Sequence, residues 1–538
     1  MSDHLLGLLP EGSHDSGAGT RFVASMNVVT LLRSPVPPAV GAEAGGTRPR
    51  PVLLWVCLAV VLVRATYVLQ PLRSDEGGYL LAARQWHSSG EFLYGDYYVD
   101  RPPLLMLIFR VAALTDWDPM IRVLAIPFAL LAVVAGWSAG QVLGGRTGAI
   151  WAAVTAGALM STPALAADQA DGELFAAALV LAALALALRA WEGRGPARLW
   201  HAVGAGVLAG AAPLVKQNFL EGLLFAGVLV AVALLRAGGD PVTRGRATSF
   251  AAAVATGAAV PYLLVWAWAA SSGFSVATLW ADLLGFRGAA FDVIWSAHSR
   301  APLDRSLQLL ALGLVSGLLL VVGAWFAAAR PWRSATGPVG WAVTAVLGYG
   351  AVAIVAGGSY WPHYLIELVP GTALAAGALA PLAARAWMGW VVGFVAGTSI
   401  LGCVVLGAAY LAVPGVWFQE RTGQWLAASG RPGDTAVVTY GNPSVLEAAD
   451  MASPYPHLWS LPMRTLDPDQ TRLRQTLEGP DAPTWLVQVH GLNTWRVDED
   501  GRLRRLVQER YRVVAEVCGS PVLLRADLTR DLAPPPVC

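Results

Sequence analysis

The chain has 538 residues, of which 55% are hydrophobic and 14% charged, whereas a soluble domain carries roughly 45–50% apolar and about 25% charged residues. One ordinary core cannot bury that excess, so the composition implies a polytopic α-helical membrane protein and excludes a string of soluble domains. The 37 Lys and Arg against 36 Asp and Glu leave a net charge of +1, without the basic footprint of a nucleic-acid partner. Cys57, Cys403, Cys518 and Cys538 show neither metal-ligand nor redox spacing.

Residues 1–51 are rich in Gly, Ala, Ser and Pro and show no helical period, which predicts a disordered cytoplasmic tail. No apolar stretch near the start has the layout of a signal peptide, and Met26 offers a second start. Apolar runs then recur at 52–70, 119–143, 147–165, 172–190, 199–215, 219–235, 248–270, 306–329, 338–356, 362–384 and 387–412. A span needs about 20 such residues, so the pattern predicts eleven transmembrane helices. Alternate connections hold Arg146; Arg194 and Arg198; Arg236, Arg244 and Arg246; Arg330 and Arg333; and Arg385. The positive-inside rule places these in the cytoplasm. The outer loops are then 71–118, 166–172 and 271–305, and residues 52–414 form the membrane domain. From 415 charge returns and short strands alternate with amphipathic helices to 538, which predicts a soluble extracytoplasmic α/β domain. In that compartment Cys518 and Cys538 are able to pair; the sequence leaves the pairing open.

Polar residues outside the inner connections gather in four places on the proposed outer side. Ser74-Asp75-Glu76-Gly77-Gly78-Tyr79 follows the first run; one acid suffices for a helix cap, and the glycines permit close approach of a substrate to the backbone. Tyr97-Tyr98-Val99-Asp100-Arg101-Pro102-Pro103-Leu104 predicts a short interfacial helix starting near Pro102. Its N-terminus, with Asp100 and Arg101 beside it, suits an anion such as phosphate. Asp168, Asp171 and Glu173 lie within six residues and suit a divalent cation or a sugar hydroxyl, although Asp171 alone is also a plausible helix cap. Lys216-Gln217-Asn218 contains the only lysine of the chain, a compact point charge suited to phosphate where arginine serves elsewhere.

In this order the motifs resemble those of the GT-C integral membrane glycosyltransferases, the branch that includes protein O-mannosyltransferases and lipid A aminoarabinose transferases. The resemblance rests on Asp75-Glu76, on Tyr97 to Leu104, on Asp168 to Phe175, on Leu214-Val215-Lys216-Gln217, and on Ser359-Tyr360-Trp361-Pro362-His363-Tyr364 before a late run. It spans roughly residues 52–385, with Arg101 standing where relatives often carry lysine.

The resemblance implies transfer of a sugar from a polyprenyl-phosphate donor to an acceptor hydroxyl outside the cytoplasmic membrane, with inversion. Asp75 would be the general base, with Glu76 and Asp171 beside it as catalytic candidates. Arg101, Lys216 and His363 would hold the donor phosphate. Tyr98, Asp100, Asp168, Glu173 and Gln217 would contact acceptor or sugar. The implied partners are the polyprenyl-phosphate-linked sugar, a glycan, lipid or protein acceptor, and membrane lipids. No cofactor is fixed by the sequence, and a divalent cation stays open. A lipid-linked glycan polymerase or ligase, and a transporter or flippase without chemistry, are the competing readings. A transporter would place charge near the bilayer midplane and carry internal repeats, neither of which the sequence shows.

Overall fold

In hydrocarbon every backbone N–H and C=O must be paired within the chain, so apolar runs of spanning length have to be helical. They are helical in the computed structural model, which describes residues 50–296, 301–329, 337–381, 385–412 and 417–538. The expectation for residues 1–49, with Met26, and for Arg330 and Arg333 lies outside the described residues. Among the described residues six helices are long and apolar enough to cross a membrane, or seven if a pair bent by 75° (Ala301–Val315 and Leu318–Ala328) is one span. The chain is a multi-pass membrane protein.

Eleven spans are not reproduced by that measure, for identifiable reasons. The runs 199–215 and 219–235 form helices of only 15 and 16 residues, Ala197–Ala211 and Glu221–Arg236. The run 362–384 opens as a 3₁₀ turn, Pro362–Leu368, before an 11-residue helix, Val369–Leu379. The runs 119–143 and 147–165 fall in one helical stretch, Met120–Leu159, broken by non-helical backbone at Gly144 and Gly145. There the chain reverses and the two segments pack closely, so that a Cβ on Gly136 would stand 2.9 Å from the Ala152 carbonyl and one on Gly140 2.2 Å from the Gly148 carbonyl. Small residues let helix backbones approach where no hydrophobic force drives helices together. Gly206 and Gly257 do the same between Ala197–Ala211 and Pro241–Ser271.

The helix directions divide the polar residues between two ends of the bundle. One end holds the Gly144–Gly145 reversal and the connections with Arg146, Arg194, Arg198, Arg236 and Arg244. The other holds the end of Arg50–Val68, the helices Ser74–Arg84 and Pro103–Ala112, the 160–171 connection, Lys216 and His363. Arg64 in the first helix secures that second end by donating from Nη1 to the carbonyls of Met160 at 3.0 Å and Ala167 at 2.7 Å.

The C-terminal tail folds as the alternation predicts. Strands β1 (Ala436–Val438), β2 (Trp485–Val487), β3 (Tyr511–Val517) and β4 (Ser520–Arg525) form one mixed sheet in the order β1-β2-β4-β3. β1 runs parallel to β2, with Val437 opposite Leu486, while β4 is antiparallel to both β2 and β3. Side chains alternate across a strand: Val437, Leu486 and Leu523 share a core with Leu473, Leu477, Leu503 and Val507 of the helices Thr471–Glu478 and Arg502–Arg510. Trp425 and Leu426, of the helix Phe418–Ser429, share the larger core with Trp485 and Leu524. Cys518 pairs with Cys538 across a Cα separation of 5.3 Å, so the last residues are tied down, with Arg421 donating to the Val537 carbonyl and Trp425 to that of Ala533.

The tail lies against the second end of the bundle. Tyr98 N–H donates to the Pro456 carbonyl at 3.1 Å, Ser453 N–H to the Tyr97 hydroxyl at 2.9 Å, and Arg84 binds Glu447. The tail and the Asp75 loop therefore share one side of the membrane.

Candidate active site

Asp75 and Glu76 are adjacent on the first turn of Ser74–Arg84, yet their surroundings differ completely. Glu76 is fully buried. Its carboxylate accepts from Arg122 Nε at 2.8 Å and Nη2 at 2.7 Å, from Ala170 N–H at 2.8 Å and from Arg73 N–H at 2.9 Å. Burial pushes its pKa up, and Arg122 with the two backbone donors more than reverses this, holding the carboxyl below its ordinary range. Arg122 spends its other N–H groups on the carbonyls of Tyr67, Gln70 and Pro71. Removing one partner from such a buried pair costs about 3–5 kcal/mol. Glu76→Gln is therefore expected to lower thermal stability in detergent markedly, and an unchanged melting temperature would contradict a bracing role.

The Asp75 side chain stays 31% exposed. Its Oδ1 accepts from Trp459 Nε1 at 2.9 Å, and its Oδ2 from the Tyr79 hydroxyl at 3.2 Å, with Arg101 Nη2 3.9 Å from the same oxygen.

Pro102 caps the helix Pro103–Ala112 as the double proline predicts, and the two residues before it meet Asp75. Asp100 Oδ1 accepts from Arg101 Nη1 at 2.6 Å, and its Oδ2 faces Arg287 Nη2 at 2.8 Å. Burial raises the Asp100 carboxyl, but Arg101 and Arg287 outweigh it and keep the group below its usual value. Arg101 lies over the Tyr79 ring, 5.4 Å from its centroid. Gln217 Nε2 donates to the Asp100 carbonyl at 2.9 Å, so the Lys216-Gln217 turn and the Asp100-Arg101 turn are neighbours. The Tyr98 hydroxyl donates to the Asp282 carbonyl at 3.2 Å, and its ring packs on Phe92, Phe286 and His457.

The third and fourth sequence clusters meet each other. Lys216 Nζ is 2.7 Å from Glu173 Oε1, and His363 lies between two acids, Nε2 3.7 Å from Glu173 and Nδ1 3.6 Å from Asp171. Asp171 stands at the N-cap of Gly172–Glu192 but makes no capping bond. Both its carboxylate oxygens are buried without a hydrogen-bond partner. Burial, then the charges of Asp75, Glu173 and Glu76, push its pKa well up. Asp168 is buried 3.5 Å from Arg73, and burial raises it too.

The structure thus brings Asp75, Asp100, Arg101, Asp171, Glu173, Lys216, Gln217 and His363 to one end of the bundle, where Glu76 is paired with Arg122, Asp168 faces Arg73 and the Tyr98 hydroxyl is bonded to the Asp282 carbonyl. Among the described residues no cluster of three or more His, Cys, Asp and Glu side chains is arranged to hold a metal ion. Sequence reasoning missed Arg73, Arg122, Arg287 and Trp459, and also the buried pair Glu221 and Glu367, where Asn218 Nδ2 donates to Glu367 Oε2 at 2.5 Å. Arg122, Glu221 and Glu367 did leave a signal, since each is an ionisable residue inside an apolar run.

No protein-family model matches the sequence, and no curated protein matches it either. Solved structures do match in fold. ArnT from Cupriavidus metallidurans bound to undecaprenyl phosphate aligns with a TM-score of 0.59 at 16% identity, over 88% of this chain and 97% of that one. Its apo state gives 0.58 at 17% identity over the same shares. The Archaeoglobus fulgidus oligosaccharyltransferase in complex with zinc and sulfate gives 0.52 at 15% identity, over 86% of this chain and 71% of that one. This chain shares its fold with ArnT and with the oligosaccharyltransferase. With 88% of this chain aligned, the likeness to ArnT extends from the helical bundle into the tail.

Proposed function

We propose that this protein is a membrane glycosyltransferase that moves a sugar from a polyprenyl-phosphate donor to an acceptor hydroxyl on the extracytoplasmic face of the cytoplasmic membrane. The observation that carries the reading is the juxtaposition of a partly exposed carboxylate, Asp75, with the fixed cations around Asp100 and Glu173 at one end of the bundle. In the reaction Asp75 takes the proton of the acceptor hydroxyl as its oxygen attacks the anomeric carbon from the face opposite the phosphate. The bond from that carbon to the phosphate oxygen breaks, and polyprenyl phosphate leaves with the electron pair. The configuration inverts. Negative charge grows on the leaving phosphate, and Arg101, Lys216 and Arg287 are assigned to meet it with fixed positive charge, while His363, whose charged form burial disfavours, is assigned to donate a hydrogen bond to it. Asp171, whose oxygens have no hydrogen-bond partner, is assigned to a hydroxyl of the sugar, with Glu173 and Gln217 beside it. Glu76 and Asp168 brace the loops. The shared fold with ArnT bound to undecaprenyl phosphate supports a lipid-phosphate donor.

The test is release of polyprenyl phosphate from a synthetic short-chain polyprenyl-phosphate sugar by the purified protein, with cell membranes as the acceptor source. Release that depends on acceptor supports the reading, and no release from any pentose or hexose donor contradicts it. Sidedness is checked by an impermeant thiol reagent on intact cells: Asp450→Cys should be labelled and Arg194→Cys should not. The reverse pattern would turn the molecule over.

A further inference from the structure

We propose that Trp459, carried to the bundle by the C-terminal tail, is a positioning residue for Asp75; the inference rests on the reading of Asp75 as the proton acceptor. Its indole Nε1 donates to Asp75 Oδ1 at 2.9 Å across 384 residues of sequence. An indole N–H donates and never accepts, so this contact holds one carboxylate oxygen in a fixed direction and aims the other, Oδ2, towards Arg101. Without it, the carboxylate would be held only through Oδ2, by the Tyr79 hydroxyl at 3.2 Å and the more distant Arg101, which leaves its rotamer less fixed, and a base has to lie within hydrogen-bond reach of the proton it takes.

The indole is itself clamped. Its ring packs on Tyr79 with centroids 5.1 Å apart, and it lies in a notch that exists only because residue 78 has no side chain. A Cβ at Gly78 would stand 2.4 Å from Trp459 Cζ2 and 2.5 Å from Pro443 Cγ, and one at Gly77 2.7 Å from Ser444 Cα. The two glycines after the acidic pair therefore admit the tail, where the sequence reading had them admit a substrate. Trp459 is also the N-cap of the helix Ser460–Leu466, whose Arg464 Nη2 donates to the Val293 carbonyl at 3.3 Å. Val293 belongs to the helix Phe286–Ser296 that carries Arg287. One tail element thus touches both the carboxylate and the support of a cation on Asp100.

A tail that merely glues itself to the bundle through Trp459 would need the ring and not the N–H. Trp459→Phe keeps the ring and removes the donor; Trp459→Leu removes both; Gly78→Ala leaves the indole intact and pushes it off Asp75. The measurements are kcat and donor KM in the donor-release assay, with binding of the short-chain polyprenyl phosphate alone. The expected result for Trp459→Phe is a kcat lower by roughly 10- to 100-fold, the scale of one hydrogen bond to a charged group, with donor KM and polyprenyl-phosphate binding unchanged. Gly78→Ala should reproduce the loss, and Trp459→Leu should not be much worse than Trp459→Phe. Wild-type kcat in Trp459→Phe together with an inactive Asp75→Asn overturns the positioning role alone. An active Asp75→Asn overturns the reading of Asp75 beneath it.

Discussion

Asp75→Asn is expected to lower sugar transfer by about 10²–10⁴-fold, the usual contribution of a well-placed general base, with little change in folding or donor affinity. The amide oxygen can still accept from Trp459 Nε1, and the side chain keeps its volume on a helix turn where it is partly exposed. What it loses is the ability to take a proton. The contrast with Glu76 sharpens the test: the neighbouring carboxylate is committed to four hydrogen bonds, so its substitution should act on stability first. If Asp75→Asn turns over at the wild-type rate, another acid is the base, and Asp171, buried without a hydrogen-bond partner, is the next to replace.

Arg101→Ala and Lys216→Ala are expected to weaken donor binding and turnover together, each by roughly 10- to 100-fold, because a charge-assisted contact to phosphate is worth about 1.5–3 kcal/mol and strengthens as the leaving group gains charge. The structure adds a complication that the sequence did not show. Each cation is already paired, Arg101 with Asp100 at 2.6 Å and Lys216 with Glu173 at 2.7 Å; Asp100 keeps Arg287 when Arg101 is removed, whereas Lys216→Ala takes the close cation from the buried Glu173. Lys216→Ala combined with Glu173→Ala separates the two effects: it should recover thermal stability and not polyprenyl-phosphate binding. Lys216→Arg should recover part of both, since charge is kept and geometry is not. Unchanged binding in both single alanine variants would remove the shared phosphate clamp.

The alternation of strands and helices in the tail was legible, because period-two apolar strands and amphipathic helices between turn residues leave a strong local signal, as in the strand Ala436–Val438 and the helix Arg502–Arg510. The short helix after Pro102 was legible for the same local reason. Span number was not: apolar composition is shared by a 3₁₀ turn such as Pro362–Leu368 and by a helix pair bent by 75°, Ala301–Val315 and Leu318–Ala328. Nor did composition separate Asp75 from Glu76, whose difference is the burial of one beside Arg122, 46 residues away. Trp459 was invisible for a stronger reason: nothing local marks a tryptophan whose partner lies 384 residues earlier.

The most direct measurement of the central claim compares envelope lipids, glycans and glycoproteins of a strain lacking the gene with its parent by mass spectrometry. A lipid-phosphate-dependent transferase predicts that one sugar disappears from one class of acceptor while its polyprenyl-phosphate form accumulates, and that Asp75→Asn fails to restore either. An unchanged inventory of both sugar and lipid-linked donor would contradict it.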